Sequence, residues 1–323
     1  MWPIVKRIFP PETMNKDRWR YLAGKTGYVL KGHVLNWPWL SRDRRRDIRY
    51  RNAARWAEWY LRKYHPFISA LRHEETPQVS DEKERIFTIW QQGEDTAPEI
   101  VKSCIASMRR RSGMEVVVID ENNLSDWIRL PDEIMKKWRQ GKIRGAHFSD
   151  ICRVELLYQH GGIWLDATGY VTSPVPDEIL REDFFIYMAG KTVRFNYSFV
   201  QNCFFRAKKH NPLLGLWRDA IFEYWINEDT PFDYSIHQLL FKTLVETNDE
   251  ARRLFEAMPH VDQDPTHELW FKYSHKPFSE EIYRKAVKDT FFQKTTYKSS
   301  DAICPVKDTV ADYIINARIP DTL

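Results

Sequence analysis

From residue 85 onwards, short unbroken apolar runs alternate with longer stretches in which apolar residues recur every three or four positions. Runs of the first kind read as buried strands, and stretches of the second kind as amphipathic helices. Ile86-Phe87-Thr88-Ile89-Trp90 is the first strand, ended by Gln91-Gln92-Gly93. Pro98 opens a helix through Met108, because proline suits a first turn, and Gly113 closes it. Glu115 to Ile119 is the second strand, with Asp120-Glu121-Asn122-Asn123 as the loop behind it. Strand, helix and strand at this spacing predict a parallel βαβ unit, which puts the end of the first strand at the ligand-binding edge of the sheet.

A further helix is expected from about Ser149 to His160, with Ile151, Val154, Leu157 and Tyr158 as its apolar face. Gly161-Gly162 stops it, and Ile163-Trp164-Leu165 is a short strand with Asp166 at its end. Phe184 to Met188 and Ser198 to Ala207 read as strands, Pro212 to Ile226 and Tyr234 to Glu246 as helices. Residues 81–323 therefore form one α/β domain in this reading, preceded by a basic, mostly helical extension over 1–80. Residues 74–84, polar and containing Pro77, read as the linker. Within the extension, Trp56, Tyr60 and Tyr64 fall at i, i+4 and i+8, an aromatic stripe expected to pack on the main domain while its arginines stay in water.

Charge sharpens this division. Residues 1–73 hold 17 Lys and Arg against 5 Asp and Glu, whereas the remaining 250 residues hold 32 against 40. A basic front on an acidic body fits peripheral contact of 1–73 with an anionic inner membrane. It speaks against nucleic acid as the partner, since no nucleic-acid-binding motif accompanies it. With no apolar leader behind Met1 and no run of 18 apolar residues, a cytoplasmic location is expected. Cys104, Cys152, Cys203 and Cys304 are too widely spaced for a zinc site and read as free thiols. The Asn196-Tyr197-Ser198 sequon is assigned no role, and Arg109-Arg110-Arg111 reads as a solvated helix end.

The chemistry concentrates between residues 149 and 168. Asp150 and Arg153 lie three apart on one flank of a helix start, and Asp166 ends a strand after a Gly-Gly break where backbone can approach a ligand closely. The ordered string Ser149-Asp150-x-x-Arg153, seven intervening residues, Gly161-Gly162-Ile163-Trp164-Leu165-Asp166 resembles the donor site of family-32 glycosyltransferases, in particular their bacterial capsular-polysaccharide-synthesis branch; the glucosylating toxins share the signature. Ile89-Trp90-Gln91-Gln92-Gly93, Asn202 to Leu214, Phe232-Asp233-Tyr234 and Lys294 to Lys298 extend the resemblance over roughly residues 85–300.

The resemblance implies a GT-A-like domain with a mostly parallel central sheet, and retaining transfer from a nucleoside-diphosphate sugar, a UDP-sugar being favoured. The acceptor it implies is an oligosaccharide or lipid-linked glycan of capsule or surface polysaccharide synthesis. On this basis Trp90 stacks on the base, Asp150 and Arg153 grip sugar or ribose, Asn202 lies near the reacting carbon and Asp233 near the hydroxyls. Gln92, Gly162, Thr168 and Lys294 complete the donor site. Asp166 matches the first carboxylate of an Asp-x-Asp motif and is the expected ligand of a divalent cation, Mn or Mg. Here, however, the sequence reads Asp166-Ala167-Thr168, and Gln293 stands where many members carry a metal-binding histidine. Lys294 or Lys298 neutralising the diphosphate directly is the alternative, and a non-catalytic sugar-nucleotide or glycan binder is the alternative to an enzyme.

Overall fold

The computed structural model describes residues 40–73, 84–190 and 198–320, with Ala23, Gly24, Thr26 and Gly27. The expected linker and the sequon, apart from Glu84 and Ser198, lie outside the described residues, as does most of the proposed membrane-contacting segment before residue 40.

Strands β1 (Arg85–Ile89), β2 (Glu115–Ile119), β3 (Gly162–Leu165), β5 (Phe184–Met188) and β6 (Val200–Ala207) form one sheet in the order β2-β1-β3-β6-β5. β1 pairs in parallel with β2 and with β3, whereas β6 is antiparallel to both β3 and β5. Four of the five strands therefore point one way and β6 alone is reversed. A separate antiparallel ribbon joins β4 (Gly169–Val171) to β7 (Phe292–Lys294), with Gly169 opposite Lys294. All four residues of β3 are buried, as a central strand covered on both faces requires.

The main helices are α1 (Arg42–Leu61), α2 (His65–Ala70), α3 (Glu99–Arg111), α4 (Gly145–His160), α5 (Pro212–Asn227) and α6 (Ile236–Thr247). Pro98 caps α3 from outside, so the helix starts one residue later than expected and runs three residues past the expected end at Met108. Helix α4 begins four residues earlier than the sequence pattern predicts. Glycine weakens a helix start, but Gln91 Nε2 donates to the Gly145 carbonyl at 2.9 Å and Phe148 stacks on Trp138 at 4.1 Å, which hold the extra turn. Gly161, at φ 66°, ends the helix.

Gly162 corrects an expectation. Its φ is 97°, and a Cβ there would lie 2.7 Å from the Arg85 carbonyl oxygen of β1. The glycine thus serves close approach of two strands, not of a ligand. Arg111 is a second correction: it is buried and donates to the Tyr170 hydroxyl at 2.9 Å and the Ile319 carbonyl at 3.2 Å, while Arg109 and Arg110 stay exposed.

Helices α1 and α2 pack into the body of the domain. Tyr60, Leu61, Tyr64 and Ile68 are buried in the same cluster as Trp217 and Trp225 of α5, with Trp56 half-buried beside it. Both tyrosine hydroxyls donate to the fully buried Glu228 carboxylate at 2.8 Å. Lys63 makes an ion pair with Glu228 at 2.5 Å. Arg44, Arg49, Arg51, Arg55 and Arg62 remain exposed, so the stripe and its flanks divide as the periodicity predicts.

Candidate functional site

The C-terminal ends of β1 and β3 open at one edge of the sheet, and helices α4 and α6 both begin there. Their oriented N–H groups bring partial positive charge to that edge. Gln91, just past β1, anchors the start of α4, with Asp150 in the second turn and Arg153 in the third. Beyond β3 the chain turns tightly: the Gly169 N–H donates to the Asp166 carbonyl at 2.7 Å, and the Asp166 N–H continues the ladder to the Cys203 carbonyl of β6 at 2.9 Å. This turn presents Asp166 and Thr168 at the same edge as Asn202. The β4–β7 register then delivers Lys294, and Thr295 fastens the ribbon by donating its N–H to the Thr168 carbonyl at 2.8 Å.

Arg153 is the hub. Its guanidinium lies 3.0 Å from Asp150 Oδ1 and 3.1 Å from Asp166 Oδ1, donates to the Asn202 carbonyl at 2.5 Å and to Ser149 Oγ at 3.3 Å, and sits over the Trp164 ring at 4.6 Å. The residue is only 5% exposed, and its Nε is buried without a hydrogen-bond partner. Arg153 is expected to grip a sugar, and in the structure its terminal donors bridge the two carboxylates. Arginine suits this because its rigid fork can serve two acceptors at once.

Asp150 is held from several sides. Asn202 Nδ2 donates to its Oδ1 at 2.9 Å, while Asn202 Oδ1 accepts from Gln238 Nε2 at 3.1 Å. Placed next to the reacting carbon by the resemblance, Asn202 instead has its amide engaged within the protein as a positioning residue. His237 Nδ1 approaches Asp150 Oδ2 at 3.1 Å, an electrostatic contact without hydrogen-bond alignment. Trp225 Nε1 donates to His237 Nε2 at 2.6 Å; an indole N–H can only donate, so the proton of this imidazole sits on Nδ1. Burial alone would raise the Asp150 carboxyl, but the neighbouring Arg153 and then His237 outweigh it and bring it down to about 2. Nearby His147, 4% exposed, is pushed down to about 4 by burial and by His237.

Asp166 accepts from Trp164 Nε1 at 3.0 Å on Oδ1 and from Lys294 Nζ at 2.8 Å on Oδ2. Burial opposes its ionisation, yet Lys294 and Arg153 hold its carboxyl below the usual carboxylate range. Lys294 also donates to Thr168 Oγ1, and although burial works against its charge, Asp166 raises its pKa. Asp150, Asp166 and Lys294 keep 13%, 23% and 20% of their side chains exposed, so the cluster opens to solvent through these three.

Two residues missed by sequence reasoning complete the rim. Tyr234 is 64% exposed, and its carbonyl lies 3.2 Å from His147 Nε2. Crowding by protein, then Asp150 and Asp166, raise the pKa of its phenol, an effect that water at so exposed a ring screens. Tyr297 meets Trp90 edge-on at 5.3 Å, leaving Trp90 half-buried at the end of β1. Gln92 is exposed on the adjoining loop, its carbonyl accepting from Thr96 Oγ1 at 2.9 Å. Asp233 stands outside the hub; its Oδ1 accepts the Ser235 N–H at 2.9 Å and shapes the turn before α6.

Asp166 and Thr168 do not fit the divalent cation that the resemblance implies. Both Asp166 oxygens and the Thr168 hydroxyl are engaged by protein donors, two of which are cations. A divalent ion about 4 Å from an ammonium is repelled by about 8 kcal/mol at an effective dielectric constant of 20. Gln293, expected near a metal, is fully buried with its amide bonded to backbone of Leu269, Pro265 and Ala286. Among the described residues no group of three or more His, Cys, Asp or Glu is placed to hold a metal.

This arrangement lies inside a sequence family: residues 38–314 match the capsular polysaccharide synthesis proteins. The chain belongs to that family. The match starts ahead of helix α1 and so takes in the two helices that precede the sheet. Over 189 residues the chain is 26% identical to O-glycosyltransferase braB of Annulohypoxylon truncatum, covering 54% of this chain and 44% of that protein. It thus spans less than half the length of this curated relative. Among solved structures, the PaToxG glycosyltransferase aligns at 14% identity with a TM-score of 0.34, covering 82% of this chain and 97% of the other. No helix among the described residues is long and apolar enough to cross a membrane, and all four cysteines are free.

Proposed function

We propose that this member of the capsular polysaccharide synthesis protein family is a retaining glycosyltransferase of GT-A type that moves a sugar from a nucleoside diphosphate to a saccharide or lipid-linked acceptor. The observation carrying this reading is the convergence of Asp150 and Asp166 on one guanidinium at the open edge of the sheet. Two carboxylates held at fixed spacing supply acceptors for sugar hydroxyls, and neighbouring cations and helix starts favour a diphosphate. Trp90 offers an aromatic face for the base.

In the reaction proposed, the acceptor oxygen forms the new bond to the anomeric carbon. The bond from that carbon to the β-phosphate oxygen breaks, and its electron pair stays with the diphosphate. The acceptor proton passes to the departing phosphate on the same face. The protein's part is positioning and charge stabilisation. Residues 1–39 and the exposed arginines of α1 bring the enzyme to an anionic membrane, where a lipid-linked acceptor resides. A thermal-shift panel of UDP-, GDP- and CDP-sugars tests the donor class, because a ligand of the native state raises its melting point. Anomeric proton couplings of the product test stereochemistry. No shift with any donor refutes the donor class, and an inverted linkage refutes retention.

A further inference from the structure

We propose that the Lys294 ammonium is a built-in cation that meets the donor diphosphate in place of a divalent metal ion. The inference rests on the nucleotide-sugar reading and specifies how that site receives its ligand. Lys294 stands between Asp166 and Thr168, the two side chains to which an Asp-x-Thr cation site would look for oxygen ligands. An ammonium carries three N–H donors and no acceptor. Two of the three are taken by Asp166 Oδ2 and Thr168 Oγ1, and the side chain remains 20% exposed, which leaves one donor for an incoming oxygen.

The position is built. Lys294 lies opposite Gly169 in the β4–β7 ribbon, and the Thr295 N–H and hydroxyl both donate to the Thr168 carbonyl, at 2.8 and 3.0 Å. Backbone register thus fixes the lysine against the Asp166 turn. Lys298, the other cation of this segment, is exposed and lies over the Tyr297 ring at 5.3 Å. Arg153 is the second fixed positive charge of the cluster, and together the two cations balance Asp150 and Asp166. As the anomeric bond breaks, the charge gathering on the β-phosphate oxygen meets an ammonium already in place, which needs no reorganisation.

Calorimetric titration with UDP, GDP, CDP and ADP, each in EDTA and in Mn²⁺, tests the proposal on wild type, Lys294→Arg and Lys294→Met. For the nucleotide that binds, the expected wild-type affinity is the same within about twofold with and without Mn²⁺. Lys294→Met weakens it by about tenfold or more in EDTA, the value of one charge-assisted hydrogen bond. In that variant Mn²⁺ restores binding, because Asp166 Oδ2 and the Thr168 hydroxyl are released. Lys294→Arg keeps the charge and retains most of the affinity. Unfolding curves verify that each variant is native. Wild-type binding that appears only with Mn²⁺ overturns the proposal and leaves the nucleotide-sugar reading standing. Tight binding in EDTA that Lys294→Met leaves unchanged likewise overturns it. Failure of all four nucleotides to bind in either condition removes the donor reading and the proposal with it.

Discussion

Replacing Arg153 with methionine keeps an apolar stem of similar length on the Trp164 ring while deleting the guanidinium that joins Asp150 to Asp166. The side chain is 6% exposed, and the two carboxylates are 13% and 23% exposed, so water cannot simply replace the missing cation. Removing one partner of a buried ion pair costs about 3–5 kcal/mol. Asn202 and His237 still face Asp150, and Lys294 still faces Asp166, which places the expected loss near the lower figure, about 3 kcal/mol at pH 7. The loss also has a pH signature. In the wild type the native Asp150 carboxyl sits at about 2, below its ordinary value of 3.8, so its stabilisation is present above 3.8 and disappears as pH falls through 2. Without the guanidinium both native carboxyls protonate at higher pH, and the deficit narrows as pH falls from 7 towards 4. Urea unfolding followed by tryptophan fluorescence, on wild type, Arg153→Met and Arg153→Lys, measures this. Lysine cannot span both acids and recovers less than half of the loss. A deficit below about 1 kcal/mol at pH 7 would refute the bridge and return Arg153 to the ligand.

Three other outcomes are expected. Native His147 takes up a proton only near pH 4 against 6.5 for an ordinary histidine, so the unfolded state binds more protons and stability is lost as pH falls from 6.5 to 4, by at most about 3 kcal/mol; in His147→Phe the stability-versus-pH curve is flatter there, and parallel curves would show the histidine is not buried as described. Gly162→Ala strains a φ of 97° and drives a Cβ to 2.7 Å from Arg85 oxygen, costing about 2 kcal/mol or more in chemical unfolding, whereas a loss under 0.5 kcal/mol contradicts the strand contact. Glu228→Ala leaves Lys63 and two tyrosine hydroxyls without their common acceptor and costs about 3 kcal/mol or more; a neutral effect would mean that α1 and α2 are not locked onto the body.

Strands were the most legible features, for a physical reason. β1 and β5 are short apolar runs that the fold buries, β2 is an apolar run on the sheet edge with only Ile119 fully buried, and the chain marks their ends with Gly or polar loops. The Asp150–Arg153 pair was legible because three residues make one helix flank. Lys294 was read only through the resemblance, since its meeting with Asp166 spans 128 residues and depends on a three-residue ribbon. His237 and Gln238 carried no local signal beyond following the Phe232-Asp233-Tyr234 segment; their role comes from where α6 begins. The first turn of α4 escaped propensity because Gln91 and Trp138 supply it from elsewhere in the chain. Gly162 illustrates the converse: the residue type was noticed, but only the three-dimensional register tells strand approach from ligand approach.

Donor turnover in Asp166→Asn bears most directly on the claim that sugar transfer occurs at the Asp150–Arg153–Asp166 cluster. With the UDP-, GDP- or CDP-sugar that stabilises the wild type, release of nucleoside diphosphate is measured for both proteins at equal folded concentration. Turnover is expected to fall by about a hundredfold or more in the variant, the scale of losing a preorganised charge at the reacting centre. Equal turnover in the two proteins would place the chemistry elsewhere.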